Sequence, residues 1–209
     1  MRETVNYIPR ELFNRILEYV PNLHIRKWKD EDIQMLFKLC YWCALRIGEA
    51  MRLKAEDFDL DLGKLYLGNT KSNINDDAAI PVFFRNELRI WLLGKAGPLF
   101  PGLTYGTMIK WIQRIGEALQ ILAWTTSQEE TREKTKSHIF RKTVGKDLLY
   151  GTYGQKAPLP TISKTLRHKG KTPLTSTISY LKASSEDVSN YWDDVAQNVE
   201  KELANDKNQ

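Results

Sequence analysis

Apolar residues at Leu12, Phe13, Ile16 and Val20 follow a proline at position 9. That spacing predicts a helix opening on a residue suited to a helix start. Residues 30–45 begin with acids and run DIQMLFKLCYWCAL. Apolar on most faces, they predict a long central helix. Residues 48–56 predict a second, shorter one. The period then changes. KLYLG and AAIPVF read as short strands separated by the polar loop NTKSNINDD, a hairpin or three-stranded sheet at the edge of a helical body.

Residues 85–93 return to a helical pattern, and GKAGPLFPGL is a turn-rich connection. Positions 108, 109, 112, 115, 119 and 122 are apolar, which predicts an amphipathic helix over residues 107–124. After the charged loop TSQEETREKTKS come three further predicted helices, over residues 137–150, 160–166 and 173–181. The tail SSEDVSNYWDDVAQNVEKEL has a helix start of the Ser-x-x-Asp type. No internal repeat or low-complexity tract interrupts the chain. The best break lies near residues 125–136, with helices on both sides expected to share one core. The fold class is mainly α with a small antiparallel β-sheet (α+β).

Composition narrows the partners. The chain has 209 residues, a net charge of +5 and a pI near 9.1. Residues 132–171 hold eleven Lys/Arg and two acids, whereas residues 184–209 hold seven acids and two lysines. A basic block followed by an acidic tail suits a nucleic-acid surface and a separate closing segment; a solvated charged face is the plainer alternative. No run approaches the length of a membrane span, and the N-terminus carries no apolar signal core, so a cytoplasmic protein is the default. Two cysteines give no disulfide framework.

Several motifs fail on inspection. Counting a calcium loop from Asp57 puts Leu62 where glycine is required and Gly68 where glutamate is required. The Gly-Lys-Thr at residues 170–172 has Thr165 in place of the first glycine of a phosphate-binding loop. Cys40 and Cys43 form a C-x-x-C, but no second pair of ligands exists for zinc. They fall inside a predicted helix rather than after a strand, so buried packing is the better reading than redox chemistry.

The chemistry gathers elsewhere. His24 has no obvious companion, but His138 and His168 each stand near an arginine in the basic block, in SHIFRKTVGKDLL and KTLRHKGK. His138 and Arg141, three apart, share a helix face, while Phe140, Val144 and Leu148 lie on another that can pack. In order, the chain offers ALRIGEAMRL, NTKSN ahead of a strand, HIFRKTVGKDLL, LRHKG and TSTISYLK. Over roughly residues 10–182 this ordered set resembles the catalytic domain of the tyrosine recombinases, the phage-integrase family.

The resemblance implies roles. Arg46 and Arg141 correspond to the two arginines that clamp the scissile phosphate, a task that suits a permanently charged, planar guanidinium. Glu49, one turn after Arg46, is its support. Lys71 in the hairpin loop corresponds to the general acid for the departing 5′ oxygen. His138 and His168 correspond to the histidines that contact the phosphate and assist proton transfer, and Tyr180 to the nucleophile. Lys142, Lys164, Arg167, Lys169 and Lys171 are the expected DNA contacts. The implied reaction cuts and rejoins duplex DNA at a specific site, with no metal and no nucleotide cofactor. It implies self-association to a dimer or tetramer on DNA, passage through a Holliday junction, and a nucleoid-associated location.

Two departures stand out. Arg167 occupies the place before the second histidine where the family usually has glycine. The stretch from His168 to Tyr180 is also about three residues longer than usual. Tyr191 is the fallback nucleophile, but it sits in the acidic segment, and Tyr150 and Tyr153 follow the His138 helix too closely. The expected organisation is a catalytic domain over residues 1–183 and an acidic helix or tail over 184–209. About 30 residues precede the first long helix, too few for the DNA-clamping domain that family members carry in front; a catalytic fragment and a minimal recombinase both fit. Three rival functions remain: a type IB topoisomerase or telomere resolvase with the same chemistry, a non-catalytic DNA-binding regulator on the same fold, and a zinc or redox protein built on Cys40 and Cys43.

Overall fold

The computed structural model describes residues 7–69, 75–121, 124, 138–168 and 173–180. Among these residues eight α-helices and three strands follow in order: α1 (Arg10–Tyr19), α2 (Asp30–Trp42), α3 (Ile47–Ala50), β1 (Phe58–Asp59), β2 (Lys64–Asn69), β3 (Asn75–Ala79), α4 (Val82–Leu92), α5 (Tyr105–Leu119), α6 (Ile139–Tyr150), α7 (Leu159–Thr165) and α8 (Pro173–Tyr180). The strands form one antiparallel sheet in the order β1-β2-β3. Leu65 faces Ala78 across it, and both are buried, while Lys64 and Tyr66 on either side of Leu65 are exposed. The alternation of period two therefore turns one face of the sheet onto the helices.

Four differences from the sequence pattern have identifiable causes. Helix α2 stops at Trp42 although apolar residues continue to Leu45. Cys43, Ala44 and Leu45 are apolar because they are buried, not because they are helical. Ala44 takes a left-handed φ of 50°, which ends the helix. The second predicted helix shrinks to α3, because beyond it Leu99 N–H donates to the Leu53 carbonyl, Ala55 N–H donates to the Gly97 carbonyl, and Lys54 pairs with Pro98. Strand β3 begins earlier than AAIPVF suggests. Ile80 leaves the sheet by donating to the Gly63 carbonyl, and Pro81 then caps α4, so Val82 and Phe83 are helical and exposed. Helix α5 ends at Leu119 with Gln120 left-handed. The chain then folds back so closely that a Cβ on Gly116 would sit 2.5 Å from that of Trp124.

One core joins the early helices to α6. Phe13 stacks on Tyr41 with centroids 3.9 Å apart, and Phe140 of α6 meets Phe13, Phe37, Tyr41 and Trp124 edge-on. A smaller cluster of Ala44, Ile162 and Leu166 packs against Val144 and Leu148. The chain before α1 is also tied to α6: Ile8 N–H donates to Thr143 Oγ1, and Tyr7 O–H donates to Asp147. Helix α6 is thus held from several sides, which fixes the direction of its N-terminal end.

Cys40 and Cys43 are both buried, and burial pushes the Cys43 thiol up to about 12 and that of Cys40 further. Neither is poised as a thiolate. Replacing both with Ala is expected to cost about 1–2 kcal/mol each through lost packing. A urea melt checks this, with native thiols that stay unreactive to a maleimide at pH 7.

Candidate active site

Arg141 anchors the site. It lies in the first turn of α6, yet it is only 1% exposed. Its Nη1 donates to the Ala44 carbonyl at 2.7 Å, and its Nη2 donates to the Leu166 carbonyl. Leu166 is the C-terminal cap of α7, at the negative end of that helix, and Ala44 lies two residues past the end of α2. A guanidinium buried there is stabilised by carbonyl dipoles rather than by a carboxylate. The i, i+3 spacing predicts one face shared by His138 and Arg141, and the structure divides their surroundings. His138 is the residue that caps α6, and Arg141 turns inward.

Arg46 caps α3 and is the more open arginine, with its side chain 40% exposed. Glu49 grips it twice. Oε2 accepts from the Arg46 backbone N–H at 2.7 Å, and Oε1 accepts from Nη1 at 2.5 Å. Burial alone would push the Glu49 carboxyl up. Arg167, the Arg46 backbone N–H and the Arg46 guanidinium outweigh it and hold the group below the usual carboxylate range.

Helix α7 ends in a two-bond turn. His168 N–H donates to the Ser163 carbonyl at 3.0 Å, and Arg167 N–H donates to the Lys164 carbonyl at 2.9 Å. This is the Schellman arrangement, which requires its central residue in the left-handed region. Arg167 supplies it with φ of 48°. That requirement is the physical reason for glycine at this place, and here an arginine meets it. Arg167, expected among the DNA-contacting cations, points inward instead: its side chain is 2% exposed and reaches Glu49 Oε2 at 2.6 Å. Its length lets it span from the α7 turn to α3, and a buried carboxylate is the stronger partner there.

The turn also aims His168. Its Nδ1 lies 2.9 Å from Thr177 Oγ1, whose own hydroxyl hydrogen goes to the Pro173 carbonyl at 2.9 Å. The hydroxyl has one hydrogen, so Nδ1 is the donor. In the neutral ring Nε2 then carries no hydrogen and can accept a proton. Thr177 is a residue that the sequence pattern did not single out. The signal was its spacing: three before Tyr180, on the same helix as the proposed nucleophile.

Both histidines sit in one cationic environment. His138 is pushed down to about 4 by burial, then by Arg141, Arg46 and Lys142. His168 is pushed down to about 4 by burial, then by Arg141, Arg46 and Arg167. Two residues 30 apart in sequence thus feel the same two arginines, and hydrogen bonds draw the same elements together: Arg141 and Arg167 share the Ala44 carbonyl, and Arg167 and Arg46 share Glu49. Each histidine stays neutral in the folded chain where the unfolded chain, near 6.5, begins to charge. The unfolded state then binds more protons, and stability falls as pH drops from 6.5 toward 4. After allowance for solvent screening the pair is expected to account for about 2 kcal/mol. Thermal melts between pH 7.5 and 4 check this; a midpoint flat over the 6.5–4.5 window contradicts it.

Among the other expected contacts, Lys164 is exposed and Lys142 half-buried. Lys71, Lys169, Lys171, Tyr191 and the acidic tail lie outside the described residues. Tyr180 is the last residue of α8, with its backbone described and its side chain not. His24 lines a separate cleft of about 400 Å³ with Lys27, Trp28, Trp111 and Arg114.

No family model matches the chain, and no curated protein matches it by sequence. Solved structures do match. XerH site-specific recombinase in a post-cleavage complex with its difH substrate superposes with TM-score 0.64 at 19% identity over 91% of this chain and 52% of its own. XerA recombinase gives 0.64 at 16% identity over 90% and 62%, and the catalytic domain of bacteriophage HP1 integrase 0.58 at 17% over 88% and 90%. The chain has the tyrosine recombinase catalytic-domain fold. It spans about half of the XerH chain and most of the HP1 domain. Within that fold the mainly helical body and three-stranded sheet agree with the class expected from the sequence. Among the described residues no helix is long and apolar enough to cross a membrane.

Proposed function

We propose that this chain is a DNA strand transferase: a site-specific recombinase or integrase that cuts and rejoins duplex DNA through a 3′-phosphotyrosyl intermediate. The observation that carries the reading is the convergence of Arg46, His138, Arg141 and His168, with Thr177 linking His168 to the helix that bears Tyr180. Supporting it are the DNA-bound state of the XerH complexes of like fold and the excess of cations over residues 132–171.

In this reading the phosphate docks against the open Arg46 guanidinium, with the two imidazoles beside it and the buried Arg141 charge beneath. Tyr180 Oη attacks phosphorus, and the bond to the 5′ oxygen breaks. The phenolic proton passes toward His168 Nε2. A free tyrosine with a pKa near 10 needs such an acceptor or a cationic pocket. Lys71 protonates the departing 5′ oxygen. Charge building on the phosphoryl oxygens is met by fixed donors that need no reorganisation. The new ester keeps the energy of the old, so a 5′ hydroxyl from a second strand reverses the step and no nucleotide is consumed.

The catalytic unit proposed here is residues 1–183, acting as a dimer or tetramer on its attachment site, with residues 184–209 as a separate acidic segment. The test is a nicked suicide duplex carrying the attachment site, incubated with the full chain in chelator. The expected product is a denaturation-resistant protein–DNA adduct whose nuclease-trimmed peptide carries phosphotyrosine. Recombinant strands distinguish the recombinase from a topoisomerase or resolvase, which relaxes or closes DNA without exchanging partners. Binding with no adduct on any nicked substrate would favour the non-catalytic regulator.

A further inference from the structure

We infer that Arg167 is a positioning residue for the phosphate-binding arginine: through Glu49 it holds Arg46 at the mouth of the site. The inference rests on the functional reading above and adds a residue to it. Arg167 Nη2 reaches two groups at once, the Ala44 carbonyl at 3.0 Å and Glu49 Oε2 at 2.6 Å, and its Nε faces Asp76 at 3.8 Å. One guanidinium thus ties the α7 turn to the end of α2, to α3 and to β3.

The backbone makes the side chain's presence informative. A left-handed φ disfavours every residue with a Cβ, by roughly 1–2 kcal/mol, and glycine would adopt it freely. An arginine at that place, buried and paired, has its warrant in what the side chain does. Glu49 is the group it acts on. With Arg167 in place, one carboxylate oxygen faces Arg167 and the Arg46 backbone, and the other faces the Arg46 guanidinium. Without Arg167, a largely buried carboxylate has Arg46 as its nearest cation. It would draw that guanidinium inward, away from an incoming phosphate. Arg167 therefore satisfies Glu49 from behind and leaves Arg46 facing out.

The two roles separate in Arg167→Gly, which keeps the backbone and removes the guanidinium. Three readouts apply to the full chain: thermal midpoint, the titration of the Glu49 carboxyl followed by ¹³C NMR on the free protein, and single-turnover cleavage of the nicked duplex at saturating protein. The expected result is a midpoint lowered by several degrees with folding retained, because a buried carboxylate loses a partner, a Glu49 titration moved upward, and a cleavage rate lower by about tenfold to a hundredfold. Duplex affinity should change little, and Arg167→Lys should restore part of the rate. An unmoved Glu49 titration overturns the proposal whether or not the wild type cuts DNA. So does a wild-type cleavage rate in Arg167→Gly, which would leave Arg167 a packing residue. Failure of the wild type itself to form an adduct overturns the functional reading, and with it the claim that Arg46 is held for a phosphate.

Discussion

Tyr180→Phe is expected to abolish covalent adduct formation on the nicked duplex, by about a thousandfold or more, while duplex affinity stays near wild type. The substitution removes one oxygen and nothing else. A phenyl ring cannot attack phosphorus, because a transesterification needs the atom that becomes the new ester oxygen. Helix α8 supports this assignment through Thr177, which lies three residues before Tyr180 and holds His168 at 2.9 Å. Stability should stay within about 0.5 kcal/mol, because the substitution removes a single hydroxyl oxygen. Denaturing gels of wild type, Tyr180→Phe and Tyr191→Phe run side by side decide the matter. Adduct surviving in the first and lost in the last would move the nucleophile into the acidic tail.

The second large effect belongs to Arg141. Arg141→Ala leaves the Leu166 carbonyl without the guanidinium that donates to it, while the Ala44 carbonyl keeps Arg167. A buried carbonyl that loses its donor costs about 1–3 kcal/mol, and the cavity adds to that. A destabilisation of about 3 kcal/mol is expected, enough to threaten folding in a protein of ordinary stability. Arg141→Lys is the cleaner probe of chemistry. It keeps the charge, but its single ammonium lacks the planar fork that reaches two carbonyls at once. Cleavage should fall by about a hundredfold to a thousandfold, with folding retained and duplex affinity little changed. Wild-type cleavage in Arg141→Lys would remove Arg141 from the reacting centre and leave it a structural strut.

The two predictions probe different arginine environments, and the contrast explains why part of the site was legible in advance. Arg46 and Glu49 lie three residues apart, and their contact is local. Periodicity was enough to pair them. Arg141 and Arg167 are held by groups 25 to 123 residues away in the chain. Local spacing carries no information about such partners, so Arg167, a basic residue in a basic block, reads as a DNA contact. Helices α1 and α5 were recognisable from their apolar spacing, and α4, α6, α7 and α8 were also expected, with shifted ends. The end of α2 was not, because Cys43, Ala44 and Leu45 are apolar for reasons of packing alone. The start of β3 was hidden for the opposite reason. Asn75, Asp76 and Asp77 are polar, yet they pair with β2 through backbone groups that take no account of side chain.

The sequence by itself determined which chemistry is available: the ordered arginines, histidines and tyrosine, and the alternation of helical and strand periods that places them on separate elements. The tertiary structure alone decided which way Arg46, Arg141 and Arg167 face. Burying a guanidinium requires carbonyls or carboxylates from several elements to meet it with correct geometry, and only the folded chain brings them together. Two left-handed residues, Ala44 and Arg167, end their helices so that the Ala44 carbonyl meets Arg141 and Arg167 together, and His168 comes within reach of Thr177. A strained backbone at two helix ends, which no residue pattern announces, is what gathers the site.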